Sequence, residues 1–433
     1  MSEKATFGNP KQFVVYPLHS TLTSKEQRAI FNRPPQGVRK IVISTNLAET
    51  SITIDDVVYV VDSCKVKENR YDNNTKMAML VETWVSQASG KQRRGRAGRV
   101  QPGICYHLCT SRVWEAMPAF TLPEMLRVPL DEMVLAIRVL DLGDVRVRAV
   151  IVPSLQLNDI ALEFLGAAVN PPEAQAVNNS LETLRNLQAL DADRDDKLTP
   201  LGYHLAALPV DPRLGKMLLL GAVFRCLNPI LTIAASLAYR SPFVSPLDKR
   251  EEADKAKRAM CMVSIWLWVE SIRAESDHLT VNKAYEGWLE ARANGNEREY
   301  LHGNFLSRNT LLMLQDLRNQ FFDHLQSINF VEPGDPENPR VFERRRARHS
   351  KLSGDWGGGL AIASYNRYAS HPALVKAVLC AGLYPNVVHI QAPRSPFDEP
   401  LLLTRDGAVQ LHPISVNFGK KEFYSAFFVY HEL

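Results

Sequence analysis

The chain has 433 residues, 45% of them hydrophobic and 23% charged, with a formal net charge of +4. Such proportions exclude a collagenous, a low-complexity and an acidic disordered chain, and describe a globular protein of about three to four domains. The mildly basic balance permits nucleic-acid binding without requiring it.

Residues 1 to about 110 read as an α/β block, with apolar strands alternating with helical segments. Lys40-Ile41-Val42-Ile43-Ser44 is a short apolar run, as expected of a strand buried on both faces. A loop rich in hydroxyls follows, Thr45 to Asp56, ending in two carboxylates. Val57 to Val61 is the next apolar run, closed by Asp62. In α/β sheets the loops at the carboxyl ends of parallel strands carry the ligand site, and hydroxyls there can bond a nucleic-acid backbone or a ribose.

Gln92-Arg93-Arg94-Gly95-Arg96-Ala97-Gly98-Arg99 places four arginines and two glycines in eight residues. On a continuous helix Gln92, Arg96 and Arg99 fall within roughly 60° of one another, giving one face with two guanidinium forks and an amide. Gly95 and Gly98 leave room for a ligand or a second backbone. Two readings stand: a face for the oxygens of a nucleotide's phosphates, and a basic helix start that is solvated or paired with acids.

Ile104-Cys105-Tyr106-His107-Leu108-Cys109 alternates as a strand does, and its cysteine spacing without a second pair argues against zinc; no metal ligand set is read in the chain. Six scattered cysteines suit a reducing compartment, cytoplasm or nucleus, and no signal peptide is read. Pro123 to Leu130 opens a helix expected to run through Val139. Leu181 to Leu187 has helical spacing and precedes a turn and Leu198-Thr199-Pro200-Leu201-Gly202. The longest apolar zone, Met217 to Tyr239, is broken by Arg225 and Asn228-Pro229 and reads as two packed helices, not a membrane span. His278 reads as a buried hydrogen-bonding residue. Arg344-Arg345-Arg346-Ala347-Arg348, beside Gly354-Asp355-Trp356-Gly357-Gly358-Gly359, reads as a basic linker, with RNA-backbone contact as the alternative. From about 340 onward the pattern turns to strands and loops.

Three of these stretches, in order, resemble motifs of the DEAH/RHA branch of superfamily 2 RNA helicases. Pro17-Leu18-His19-Ser20-Thr21-Leu22 resembles motif IV, Ser44 to Ile54 motif V, and Gln92 to Arg99 motif VI. The resemblance implies a multidomain α/β plus α plus β chain. It comprises a partial second RecA-like domain (1–110), a winged helix (111–198), a helical ratchet bundle (199–325) and an OB-like β-barrel (340–433). Leu205 to Leu218, Tyr239 to Phe243 and Ser276 to Leu279 match the bundle; Ala381 to Val387 and His412 to Asn417 match the OB-like module. It further implies that Gln92, Arg96 and Arg99 face ATP, the last two as arginine fingers, and that Asp55 meets the ribose. Thr45, Asn46 and Thr50, with Ser20 and Thr21, would lie near RNA, as would Ser415 and Asn417 of the OB-like module. Lys65 to Trp84 lies where the family has a strand-separating hairpin, and reads otherwise as an ordinary surface hairpin.

The 433 residues hold no Gly-x-x-x-x-Gly-Lys-Ser/Thr phosphate loop and no Asp-Glu-x-His run. The family's first RecA-like domain, which supplies both and holds Mg2+, is therefore expected to be absent. The chain is expected to be the C-terminal part of an ATP-dependent 3′-to-5′ RNA helicase, acting on single strands or duplexes with a 3′ overhang, and inactive alone. The start is expected to be late, the end early, and Arg146 to Ala168 longer than the family's usual connection, with Val150 to Leu155 either an insertion or a retained stretch from an inexact gene model. An ATP-independent RNA-binding or regulatory fragment is the alternative, and a protein scaffold built on the helical bundle is the third reading.

Overall fold

The computed structural model describes residues 9, 11–19, 28–50, 54–72, 77–142, 164–194, 196–246, 249–261, 276–332, 364–391, 400–405 and 407–431. Ser20 and Thr21, the arginine cluster 344–348, the glycines at 354–359 and most of 146–168 lie outside them. The chain divides into two compact units, Met1–Pro129 and Leu130–Leu433.

In the first unit β1 (Phe13–Leu18) pairs in parallel with β2 (Arg39–Ser44), and β3 (Tyr59–Asp62) in parallel with β6 (Ile104–His107). Parallel neighbours need a crossover, which is the α/β pattern expected from the sequence. β4 (Lys65–Asp72) and β5 (Met77–Trp84) form an antiparallel hairpin in which Lys65 opposes Trp84. The Lys65 ammonium sits 3.6 Å above the Trp84 ring, a cation–π contact that fixes the hairpin base. Leu18, Ile30 and Ile54 form one core, with Tyr16, Val42, Leu47 and Val57 against it. Cys64, Val85 and Met117 form another.

The short helix α1 (Leu47–Thr50) stands at the carboxyl end of β2. The helix α2 (Gln87–Arg94) starts at Ser86, whose hydroxyl accepts from the Ser89 N–H at 3.1 Å, an ordinary N-cap. The helix does not continue to Arg99 as the sequence reading required. After Arg94 the Arg96 and Ala97 amides bond the carbonyls three residues back, on Arg93 and Arg94, and the regular ladder stops. Gly95 and Gly98 are poor helix formers, and they interrupt it.

The boundary after Pro129 falls inside the span 111–198 expected for the winged helix. The helix α3 (Ser111–Ala116) belongs with the first unit, because the Gln87 amide donates to the carbonyls of Trp114 (3.1 Å) and Met117 (3.2 Å). The expected helix from Pro123 to Val139 is two pieces, a 3-10 turn at Glu124–Leu126 and α4 (Asp131–Val139). Pro129 separates them by disfavouring helical geometry at Val128.

In the second unit α5 (Ala174–Asn186) leads into the short hairpin β7 (Leu190–Asp191) and β8 (Lys197–Leu198). Thr199 then caps α6 (Pro200–Ala206), with Pro200 in the first turn. The apolar zone forms two helices, α7 (Pro212–Val223) and α8 (Leu227–Ala238), packed on each other. They are followed by α9 (Arg250–Cys261), α10 (Asp277–Ala293), α11 (Glu297–Gly303) and α12 (Arg308–Ser327). Tyr285 and Trp288 of α10 are buried in that bundle. The stretch from 340 onward contains a helix that the strand-and-loop reading missed, α13 (Pro372–Leu383). Its apolar residues pack on α7, and Gly382 lets it approach Met217 closely. Four antiparallel strands, β9 (Val387–Gln391), β10 (Leu401–Thr404), β11 (Gly407–Val409) and β12 (Phe427–Val429), make a sheet of order β11-β10-β9-β12. No helix among the described residues is long and apolar enough to cross a membrane.

Candidate functional site

The four arginines of Arg93 to Arg99 have different surroundings. Arg93 turns inward. Its Nε donates to Glu49 Oε2 at 3.1 Å, and its Nη1 to Asp62 Oδ1 at 2.9 Å and to the Lys65 carbonyl at 3.2 Å. Asp62 is only 4% exposed. Burial would raise its carboxyl, but the Arg93 guanidinium, the Cys64 N–H and His107 together hold it below the ordinary value. One cation thus joins the loop after β2, the end of β3 and the base of the hairpin.

Arg96 is anchored through backbone, with Nη2 donating to the Glu49 carbonyl. Burial lowers its affinity for a proton, and the nearby charge of Arg99 lowers it further. Arg99, Arg94 and Gln92 are exposed. Two guanidinium groups close enough to repel one another gain from an anion placed between them.

The turn carrying these arginines is pressed onto the start of β3. A Cβ on Gly103 would lie 1.9 Å from the Ala97 carbonyl oxygen and 2.7 Å from that of Val58, so only glycine fits there. The backbone between Arg96 and Arg99 therefore lies against Val58, three residues after Asp55. Asp55 is exposed in the turn before β3, while its neighbour Asp56 pairs with Lys40 at 2.9 Å.

Thr45 and Asn46 are exposed at the carboxyl end of β2; Thr50 ends α1. The Thr45 N–H donates to the Leu18 carbonyl at 3.1 Å, which ties the loop to β1 and leaves the side chain outward. A cleft of about 420 Å³ opens beside them. Asn46, Lys67, Asn69, Ser89, Thr121 and Arg127 are among its lining residues. It offers amides, hydroxyls and the cations Lys67 and Arg127, groups that bond a sugar–phosphate backbone, beside the carboxylates Glu49 and Glu68, the first of which pairs with Arg93.

Ser415 of the OB-like module is tied to the helical bundle. Its hydroxyl donates to Asp277 Oδ2 at 2.6 Å, and the Val416 N–H reaches the same carboxylate at 3.2 Å. Lys257 Nζ donates to Asp277 Oδ1 at 2.6 Å and to the Ile414 carbonyl at 2.7 Å. Asn417 accepts from Lys420 at 3.0 Å. The loop at 414–417 is clamped onto α9 and α10 by these bonds, and Ser415 and Asn417 line a cavity there together with Asp277 and Lys257. His278, next to Asp277, is driven down to about 4 by burial and stays neutral near pH 7.

Residues 2–101 match the helicase conserved C-terminal domain. Residues 180–210 and 211–281 match the winged-helix and ratchet-like parts of the helicase associated domain, and 375–433 the oligonucleotide/oligosaccharide-binding fold. Over 425 residues, 98% of this chain and 37% of the relative, it is 45% identical to the DExH-box ATP-dependent RNA helicase DExH1 of Arabidopsis thaliana. This chain is the C-terminal portion of a DExH-box helicase. It is 43% identical to the putative ATP-dependent RNA helicase DHX57 of Mus musculus (97% of this chain, 29% of that protein). It is 41% identical to the ATP-dependent DNA/RNA helicase DHX36 of Homo sapiens (97% and 37%). The chain thus spans well under half the length of the DExH-box relatives it matches.

Sequence reading missed two residues of this helicase region that the geometry makes central. Glu49 joins the motif V loop to the arginine segment through both its carboxylate and its carbonyl. Asp62 receives Arg93. Their signals were present, an acid inside a hydroxyl-rich loop and an acid closing an apolar strand, but neither says which arginine it meets.

Proposed function

We propose that this DExH-box portion supplies the arginine side of an ATP site and part of the RNA track of an ATP-dependent 3′-to-5′ RNA helicase. Arg96 and Arg99 are the residues that meet the terminal phosphates, Gln92 assists them, and Asp55 receives the ribose. The observation that carries this reading is Arg96, anchored on the Glu49 carbonyl, near the charge of the exposed Arg99 and set beside the strand that Asp55 precedes. Fixed cations of this kind stabilise charge developing on a transferred phosphoryl group.

A phosphate loop and a magnesium-holding carboxylate belong to another lobe, and none stands in these 433 residues. We therefore assign the chain by itself no ATP turnover. When bound with ATP, Mg2+ would neutralise phosphate charge from that other lobe; this chain's contribution is orientation and the two guanidinium groups. Thr45, Asn46 and Thr50 hold the RNA backbone, in the cleft beside Lys67 and Arg127. Glu49 joins that track to Arg96, so movement of nucleotide and of strand are mechanically linked.

The test is RNA binding by the purified chain, followed by anisotropy of a labelled single strand across a salt series. Affinity should fall steeply with salt. Asn46→Ala and Lys67→Ala should each weaken it, by about 1 kcal/mol for a hydrogen bond and by a shallower salt slope for the lysine. Salt-independent binding, or binding unchanged in both variants, would remove the RNA assignment.

A further inference from the structure

Asp62, Cys64 and His107 form a cluster that the nucleotide and RNA reading leaves unused. Cys64 Sγ lies 3.6 Å from His107 Nδ1 and 3.8 Å from Asp62 Oδ2, and Nδ1 to Oδ2 is 3.2 Å. Among the described residues this is the group of potential ligands whose donor atoms all lie within 4.8 Å of one another. Zinc bonds of about 2.3 Å to sulfur and about 2.0 Å to nitrogen or oxygen, at tetrahedral angles, require edges of roughly 3.5 Å and 3.3 Å. The donor triangle already has that size.

Charge and orientation agree with the size. A thiolate and a carboxylate together neutralise a divalent ion. Arg93, on the other oxygen of Asp62, is itself offset by Glu49, so the buried set closes at zero net charge. The outer contacts also fix the donors. Asp62 Oδ1 is held by Arg93 and by the Cys64 N–H at 2.9 Å each, and the His107 ring packs on Trp114 with centroids 4.7 Å apart. Partners of this kind orient ligands in metal sites. Cysteine, histidine and carboxylate donors together select zinc over magnesium or calcium.

We infer that Asp62, Cys64 and His107 form a site for a zinc-class divalent ion, which bridges the carboxyl ends of β3 and β6 beneath the Arg93–Glu49 pair. Binding displaces the Cys64 proton to solvent, so affinity rises with pH.

The test uses the whole chain, stripped by a chelator and titrated with Co2+ as a spectroscopic probe, with Zn2+ as competitor. One equivalent of Co2+ should give a thiolate-to-metal charge-transfer band that Zn2+ abolishes. Cys64→Gly suits the left-handed backbone at that position (φ 58°) and leaves the other five cysteines in place. His107→Gln keeps a hydrogen-bonding side chain and every cysteine. Each should weaken binding by on the order of 100-fold while circular dichroism confirms the fold. Should Cys64→Gly fail to fold, His107→Gln carries the decision. Absence of the band in the unaltered chain, or a band that survives in the folded variants, would overturn the assignment.

Discussion

Replacing Arg93 by alanine tests the claim that the arginine segment is divided between structure and function. The side chains of Arg93, Glu49 and Asp62 are 15%, 13% and 2% exposed, so the change strands one nearly buried carboxylate and one partly buried one. Breaking a buried pair by removing one partner costs about 3–5 kcal/mol. That is a third or more of a typical domain stability of about 5–15 kcal/mol. The pH dependence has a definite sign. In the unaltered protein Asp62 titrates below its unfolded value of 3.8, so its contribution is complete above that pH and is lost as pH falls through the folded value. Without Arg93 the largest influence on Asp62 is burial, which raises it. The variant then loses stability as pH rises through the raised value, and the gap to the unaltered protein narrows in acid. Hydrogen exchange of first-unit amides is the assay, since a chain of two units need not unfold in one step. Arg93→Ala should lower protection by about 3 kcal/mol at pH 7, and Asp62→Asn in the same molecule should restore part of it. Arg99→Ala, at an exposed site, should change it by less than about 0.5 kcal/mol. A loss below about 1 kcal/mol for Arg93→Ala, constant across pH, would refute the reasoning.

Asp277→Ala should destabilise the second unit by about 3 kcal/mol in urea unfolding, because Lys257 loses its carboxylate, while Ser415→Ala should cost about 1 kcal/mol. His278 titrates at about 4 in the folded chain against 6.5 ordinarily. Its contribution is therefore intact above 6.5 and lost as pH falls toward 4, and His278→Gln should flatten that limb of a stability–pH curve by roughly 3 kcal/mol. Burial raises Asp131 to about 6 from 3.8, so its stability is present below 3.8 and lost as pH rises through 6. Asp131→Asn should accordingly raise the second unit's melting temperature at pH 8 and leave it nearly unchanged at pH 3.5.

Much of the first unit was legible because its signals are local. Apolar runs gave β2 and β3, and the order of three motifs gave the family. Met217 to Tyr239 gave α7 and α8 because Arg225 and Asn228-Pro229 interrupt it in the middle. Where one residue decides geometry, the pattern misled. Pro129 split a helix that its apolar spacing supported, and two glycines ended α2 before Arg96. The helical face of Gln92, Arg96 and Arg99 was drawn for a regular helix that stops at Arg94. Pairings across long sequence separation were not legible at all. The reading offered pairing with acids or binding of phosphate for the whole segment, and the structure divides it: Arg93 pairs with acids, and Arg99 is exposed. The proximity of His107 to Asp62 and Cys64 was likewise not legible, because those residues lie more than forty positions upstream.

The most direct measurement of the central claim is RNA-stimulated ATP hydrolysis, with the chain alone and with the chain joined to a lobe carrying a phosphate loop. The account predicts no turnover from the 433 residues alone. It predicts turnover in the joined protein that falls by on the order of 10³-fold in Arg99→Ala while nucleotide binding persists. Hydrolysis by the isolated chain, or equal rates from the joined protein with and without Arg99, would contradict it.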